Sequence, residues 1–326
     1  MNERTPLRRA VELGAFVAAI GLLVYLLDRL GWAEVAAALG RVGPGWAFVI
    51  LALGIAETVS DALALRVALW DAIPRFRVSA IHAMGSVANS FLPWEMGEVV
   101  KGALLRRDLG AETMLPGLIV WNYAYKLSRP ITTFTAAALG AAVSTRFEAR
   151  IETAILGASV VAFLPYLGLK LLLAAGPAAA LTRLLHGLSI VKDGARFTEA
   201  AHRVDAAVRD FARHAPARYG KLLATQGAAR VFAFLSLWAA VTALELPYDT
   251  GDVLLLYAGL NVAELVLTVV PARIGVAEGA AFALFAALGL EPGAGLLVYL
   301  VLRIRSLAAN GLLAPFAGLG AGRPVS

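Results

Sequence analysis

The residues of this 326-residue chain best placed to do chemistry lie around two matching breaks in otherwise apolar runs. The first break reads N-S-F-L-P-W-E-M-G-E over residues 89–98, and the second reads L-T-V-V-P-A-R-I-G-V-A-E-G over residues 267–279. In each, an apolar run stops at a proline (Pro93, Pro271), a glycine stands four positions on (Gly97, Gly275), and a glutamate follows (Glu98, Glu278). A helix that restarts after such a break directs free N–H groups and its positive dipole end into the protein, where a phosphate can be held. Asn89, Lys101, Arg273 and Arg303 lie in or near the breaks or interrupt an apolar run, and they could add hydrogen bonds or charge. The prolines and glycines read as hinge or turn residues. Glu98 and Glu278 fall in the first turn of the restarted helices, so helix capping is their simpler alternative role.

Further charges interrupt the apolar runs. Glu57 and Asp61 are four apart and share a helix face, while Lys126 and Arg129 are three apart. Glu264 precedes the second break, and Arg303 and Arg305 interrupt the last run. A charge inside a bilayer costs about 2.5–3.5 kcal/mol on insertion scales, so charges that persist there line a pathway or pair with one another. For any one of these residues the alternatives are a structural ion pair or, near a helix end, snorkelling to the interface. As a group they indicate a polar cavity.

The remainder of the chain must place these groups in a membrane. Hydrophobic residues make up 60% of the sequence and charged residues 16%, with a mean hydropathy of +0.74, beyond the range of an ordinary water-soluble domain. Apolar runs recur over residues 11–27, 44–65, 114–143, 151–175, 222–244, 253–270 and 293–319, which predicts about seven transmembrane helices. The two interrupted segments are counted separately. There are no cysteines, which removes disulfides and thiolate sites, and the four histidines show no metal-ligand spacing, so neither a metal nor a cofactor is expected. The net charge of +6 is spread over loop ends, as the positive-inside rule requires, and is not read as nucleic-acid binding. The N-terminal run resembles a signal peptide, but Asp28, Arg29, Trp32 and Glu34 separate it from the small residues 36–38, so an uncleaved anchor is expected.

Charge placement also predicts topology. Residues 177–221 carry eight Lys or Arg against four Asp or Glu and should be cytoplasmic, as should the N-terminus with Arg4, Arg8 and Arg9. Parity then requires residues 78–107 to enter and leave on the cytoplasmic side as a re-entrant hairpin, flanked by Arg75, Arg77, Arg106 and Arg107. The expected architecture is a single all-α polytopic membrane domain over residues 1–326. Its first half spans about 10–175 with hairpin 78–107, and its second spans about 222–319 with hairpin 271–290. A cytoplasmic amphipathic connector over 181–215 joins them. Hairpins approaching the midplane from opposite faces are the signature of an inverted repeat, and the same parity puts the C-terminus inside.

The string A-N-S-F-L-P-W-E-M-G-E-V-V-K-G-A-L-L-R-R, followed by V-P-A-R-I-G-V-A-E-G-A-A-F-A-L-F-A-A-L-G and L-V-L-R-I-R, resembles the flippase-like membrane family. That family stands at the N-terminus of bacterial lysylphosphatidylglycerol synthetases and also has free-standing members. The resemblance covers roughly residues 10–319 and carries family motif positions onto Asn89, Pro93, Gly97, Glu98, Pro271, Gly275, Glu278 and Arg303. It implies movement of a polar-headgroup lipid across the bacterial inner membrane. Many relatives carry an acid and an arginine, then a further acid, where this chain has Tyr125, Lys126 and Arg129. The exchange of acids for positive charge points to a more anionic headgroup. The synthetase's soluble aminoacyl-transferase domain has no counterpart in this sequence, so aminoacylation by this chain alone is not expected, and a separately encoded lipid-modifying enzyme is a candidate partner.

The leading expectation is therefore a non-enzymatic lipid flippase or transporter that binds a headgroup phosphate through Asn89, Glu98, Lys101, Lys126, Arg129, Glu264, Arg273, Glu278 and Arg303. The alternatives are a secondary transporter of a small anionic solute, with carboxylates as proton carriers, or an integral-membrane transferase acting on a lipid-linked substrate. No G-x-x-x-x-G-K-[ST] phosphate loop occurs, so energy would come from a gradient, a partner or lipid disequilibrium. The oligomeric state is not specified by the sequence.

Overall fold

The chain is seen in a computed structural model that describes residues 31–91, 96–144, 215–266 and 275–318 continuously, with further positions within 21–28, 153–160 and 199–213. Nine helices run through these continuous stretches. They are α1 (Trp32–Arg41), α2 (Pro44–Ala68), α3 (Arg75–Phe91), α4 (Met96–Leu105) and α5 (Ala111–Val143), then α6 (Pro216–Ala243), α7 (Thr250–Val266), α8 (Val276–Ala287) and α9 (Pro292–Leu313). A 3-10 turn, Ala314–Gly318, continues α9, and no strand occurs among the described residues. Among the described residues, three segments, Pro44–Ala68, Pro216–Ala243 and Pro292–Ala317, are long and apolar enough to cross a membrane.

Local chemistry explains the helix starts. α2, α6 and α9 each open on a proline, whose fixed φ suits the first helical position and whose missing N–H would have no partner there. α7 opens on a reciprocal pair: Asp249 Oδ1 accepts the Asp252 N–H at 2.8 Å, and Asp252 Oδ2 accepts the Asp249 N–H at 3.2 Å. Asp252 is buried, and its other oxygen accepts from the Ser144 hydroxyl at 2.7 Å, tying the end of α5 to the start of α7. After α2 the chain turns sharply through Trp70 and Asp71, both with positive φ. Such backbone is strained for residues other than glycine. Asp71 is clamped between Arg66 at 2.7 Å and Arg218 at 2.8 Å, which holds the turn against the first turn of α6.

The described helices repeat in order. Among the described elements, α2 to α5 are a long helix, a 17-residue helix, a short helix and another long helix, and α6 to α9 have the same order. Across the halves, α2 lies along α6, α5 packs on α7, and α9 packs on α3. α3 and α4 run antiparallel, since Arg77 meets Asp108 at one end (3.1 Å) while Asn89 meets Gly97 at the other (2.6 Å). Their backbones approach closely at Gly85 and Gly97, where a Cβ on Gly97 would collide with the Gly85 carbonyl.

Two apolar cores result. Leu65, Leu69, Ile81, Leu105 and Leu222 fill one between α2, α3, α4 and α6, and Leu237, Leu255, Leu256, Phe285 and Leu296 fill the other among α6 to α9. Large apolar side chains also point outward from the long helices, among them Phe48, Val231 and Ile304. In water they would form an adhesive surface; against lipid tails they are the natural exterior.

The helices follow the sequence expectation over 44–65, 114–143, 222–244 and 293–319 to within a turn or so at most ends, and the expected 253–270 span is helical as far as it is described, to Val266. The interrupted 78–107 segment is two helices. The expected spans at 11–27 and 151–175 lie largely outside the described residues, as do most of the 181–215 connector, Pro93 in the first break, and Pro271 and Arg273 in the second.

Candidate functional site

The inward faces of the long helices carry arginines, and each arginine meets a carboxylate. Arg230 on α6 places Nη2 2.7 Å from Asp61 Oδ2 on α2, with both side chains buried. The other Asp61 oxygen lies 2.9 Å from the Gln226 amide nitrogen, with that amide turned as its neighbours require. Arg129 on α5 donates from Nη2 to Glu264 Oε2 on α7 at 2.5 Å and to Asn261 Oδ1 at 3.3 Å. Tyr299 on α9 donates its hydroxyl to the second Glu264 oxygen at 2.9 Å. Arg305 on α9 lies 2.7 Å from Glu57 Oε2 on α2. Arg303, two positions earlier, pairs through Nε with Glu278 Oε1 on α8. The pairs at Asp61, Glu57 and Glu264 each join the first half of the chain to the second.

These groups surround a cavity of about 340 Å³, lined from α2, α3, α5, α6, α7 and α9. Its charged lining residues are four arginines, Arg129, Arg230, Arg303 and Arg305, against two glutamates, Glu57 and Glu264. Asp61 and Glu278 do not line it; they stand in the wall and hold Arg230 and Arg303 in place. With the two wall acids counted, four arginines face four carboxylates, so what the cavity offers is the remaining N–H donors of paired arginines. Guanidinium is suited to such a site because its planar fork can hold a carboxylate with one edge and offer further donors to a phosphate. Neutral hydrogen-bonding groups complete the wall: Ser86, Asn89 and Ser90 on α3, Asn261 on α7 and Ser306 on α9.

Aromatic rings connect the cavity to the hairpin. Tyr125 has Arg230 5.2 Å and Arg129 6.0 Å from its ring centre, and it stacks on Trp121 at 5.5 Å. Trp121 in turn carries the Lys101 ammonium 4.1 Å from its ring centre. Lys101 is only 2% exposed and pairs with Glu98 at 2.6 Å, one turn earlier on α4. Gly85 leaves room for its stem. Burying an ammonium in this way is tolerable only because a carboxylate and an aromatic face replace its water.

Six of the residues singled out from the sequence meet at the cavity: Asn89, Arg129, Glu264 and Arg303 of the expected headgroup site, and Glu57 and Arg305. Lys126 does not: it is exposed, and a step of one residue from Tyr125 carries it about 100° around α5. Lys101 and Glu98 sit behind Trp121, and Glu278 is fully buried behind Arg303. Gly97 and Gly275 are both helix-start residues. The Gly97 N–H is taken by Asn89 Oδ1, and Gly275, with φ of 79°, gives its N–H to Glu278 Oε2 at 2.8 Å. These two donors, expected to face a phosphate, are thus used by the protein itself. Glu278 combines the cap with the Arg303 pair.

Sequence reasoning did not single out Arg230, Tyr257 or Tyr299, and it treated Tyr125 only as a departure from relatives. Arg230 had a usable signal, since it is the one charged residue between Leu222 and Ala243 in an apolar helix. The tyrosines had none, because an aromatic in an apolar run is ordinary. Among the described residues, no group of three or more His, Cys, Asp or Glu could hold a metal ion.

Long apolar helices around a charged interior define an all-α integral membrane protein. The chain belongs to the family described as the lysylphosphatidylglycerol synthase TM region, whose profile matches residues 12–314. No curated protein matches it.

Proposed function

We propose that this protein is a lipid transporter of the flippase type, which holds the phosphate-bearing headgroup of a membrane lipid in the arginine-lined cavity and exposes it alternately to the two faces of the bilayer. The observation that carries this reading is the cavity itself: four arginines from both halves converge on it, and three of their ion pairs span the two halves. Charges in a bilayer interior are costly, so a cluster of this size at the junction of two repeats is best accounted for by a polar substrate. Family membership supports a role in lipid modification or transport.

In this reading α3 and α4 form a re-entrant hairpin. At 1.5 Å per residue the 10-residue α4 is about 15 Å long, half of a hydrocarbon core about 30 Å thick. The repeated order of elements supports an inverted repeat with the second hairpin built on α7 and α8. Family membership supports a membrane location, here read as the bacterial inner membrane, and Lys and Arg placement supports an orientation with both termini cytoplasmic. The protein acts as a transporter and not as an enzyme, and a separately encoded lipid-modifying enzyme would supply or consume its substrate.

A second reading has one observation in its favour. A cavity of about 340 Å³ holds a headgroup or a small anion but not acyl chains, which would have to lie outside it in the membrane. Purified protein in liposomes containing headgroup-labelled lipids separates the two. Loss of label protection for phosphate-bearing lipids, dependent on Arg129 and Arg303, supports lipid transport. Uptake of a soluble anion with no lipid movement rejects it.

A further inference from the structure

We infer that Glu264 is a built-in competitor for the substrate phosphate: its carboxylate occupies the anion position on Arg129 in the empty protein, and a phosphate headgroup takes that position by displacing it. This rests on the proposed anion site and specifies how that site works.

The four acids paired with cavity arginines are not equivalent. The side chains of Asp61 and Glu278 are 9% and 0% exposed and stand in the wall, so they hold Arg230 and Arg303 permanently. Glu57 is intermediate at 18%. Glu264 is the most open at 30%, lines the cavity, and faces Arg129, itself 18% exposed. The Glu264 oxygen held by the Arg129 guanidinium makes the contact that a phosphate oxygen would make there. Displacement does not strand it, because the Tyr299 hydroxyl on its other oxygen gives it a partner facing the cavity.

The same contact is a bridge between halves, since Arg129 lies on α5 and Glu264 and Tyr299 lie on α7 and α9. Exchange of carboxylate for phosphate therefore removes one of the ion pairs that tie the halves together, which couples occupancy of the cavity to their separation. A ligand shifts such an equilibrium only through contacts that differ between the two states, and this exchange provides one.

Binding in detergent to the full-length protein tests the idea with two probes, a short-chain phosphatidylglycerol and inorganic phosphate. Removing the competitor with Glu264→Gln, which keeps an acceptor for Tyr299, should tighten binding about tenfold at low salt. Adding a competitor with Asn261→Asp, 3.3 Å from the same Arg129 nitrogen, should weaken it by a similar factor. Opposite signs from two single substitutions in one contact cannot arise from general destabilisation. Tightening with the lipid alone supports the exchange and assigns it to a headgroup; equal tightening with both probes supports it for any phosphate. Unchanged or weaker binding in Glu264→Gln, with wild-type binding intact and lost in Arg303→Ala, would overturn the exchange while leaving the anion site standing. Absence of binding to wild-type protein by either probe would remove the site itself.

Discussion

Arg303 and Glu278 form a pair in which the acid is fully buried and also closes the start of α8 through the Gly275 N–H. One carboxylate thus serves two purposes: it terminates the second break in the chain, and it aims an arginine at the cavity. The break and the charge expected to bind a headgroup are parts of one arrangement.

That arrangement predicts a specific pattern of stability. Arg303→Ala leaves a buried carboxylate without its cation and should cost about 3–5 kcal/mol. Combining it with Glu278→Gln, which keeps an acceptor for the Gly275 N–H, should recover most of that loss. Transport should stay absent in the double variant, because the cavity has lost an arginine. Thermal melts in detergent and a liposome assay check the two halves of the prediction, and restored transport in the double variant would make Arg303 purely structural.

The hairpin gives a packing prediction. A Cβ added at Gly85 would stand 2.9 Å from the Gly97 carbonyl and 2.5 Å from Lys101 Cγ. The lysine stem can shift, but the backbone carbonyl cannot, so Gly85→Ala should cost about 1–3 kcal/mol through overpacking. Gly85→Ala combined with Lys101→Met should remain destabilised. Full recovery in that double variant would place the strain in the lysine and not in the helix contact.

Arg230 predicts a difference between charge and shape. Arg230→Lys keeps a cation for Asp61, so the melting temperature should fall only modestly. The guanidinium fork facing the cavity is lost, and a charge-assisted hydrogen bond of about 1.5–3 kcal/mol corresponds to roughly a tenfold or greater drop in headgroup binding. Binding equal to wild type in Arg230→Lys would confine Arg230 to holding Asp61.

Re-entry of the hairpin is open to direct measurement, because the chain contains no cysteine. Arg75→Cys and Arg107→Cys, at exposed positions near the two ends of the hairpin, should react with an impermeant thiol reagent only from the cytoplasmic side. Thr250→Cys, exposed at the start of α7, should react only from outside. Labelling of residues 75 and 107 from opposite sides would show that the segment crosses.

Composition and pattern alone determined the class of this protein and the position of the long helices that are described, because a hydrocarbon solvent demands long apolar stretches and penalises each charge within them. The first break falls between α3 and α4 and the second between α7 and α8, where proline and glycine interrupt the apolar pattern. Asn89, Arg129, Glu264 and Arg303 could be singled out because polar groups are conspicuous against such a background. The partners were not legible. Arg303 meets Glu278 while Arg129 meets Glu264 and Arg230 meets Asp61, over separations of up to 169 residues, and these choices follow from how helices rotate and stack. The same rotation turns Lys126 outward, only three positions from Arg129 on one helix, and brings Tyr125 between two arginines. Sequence spacing specifies the face of a single helix; which helix that face meets is decided by the packing of both halves together.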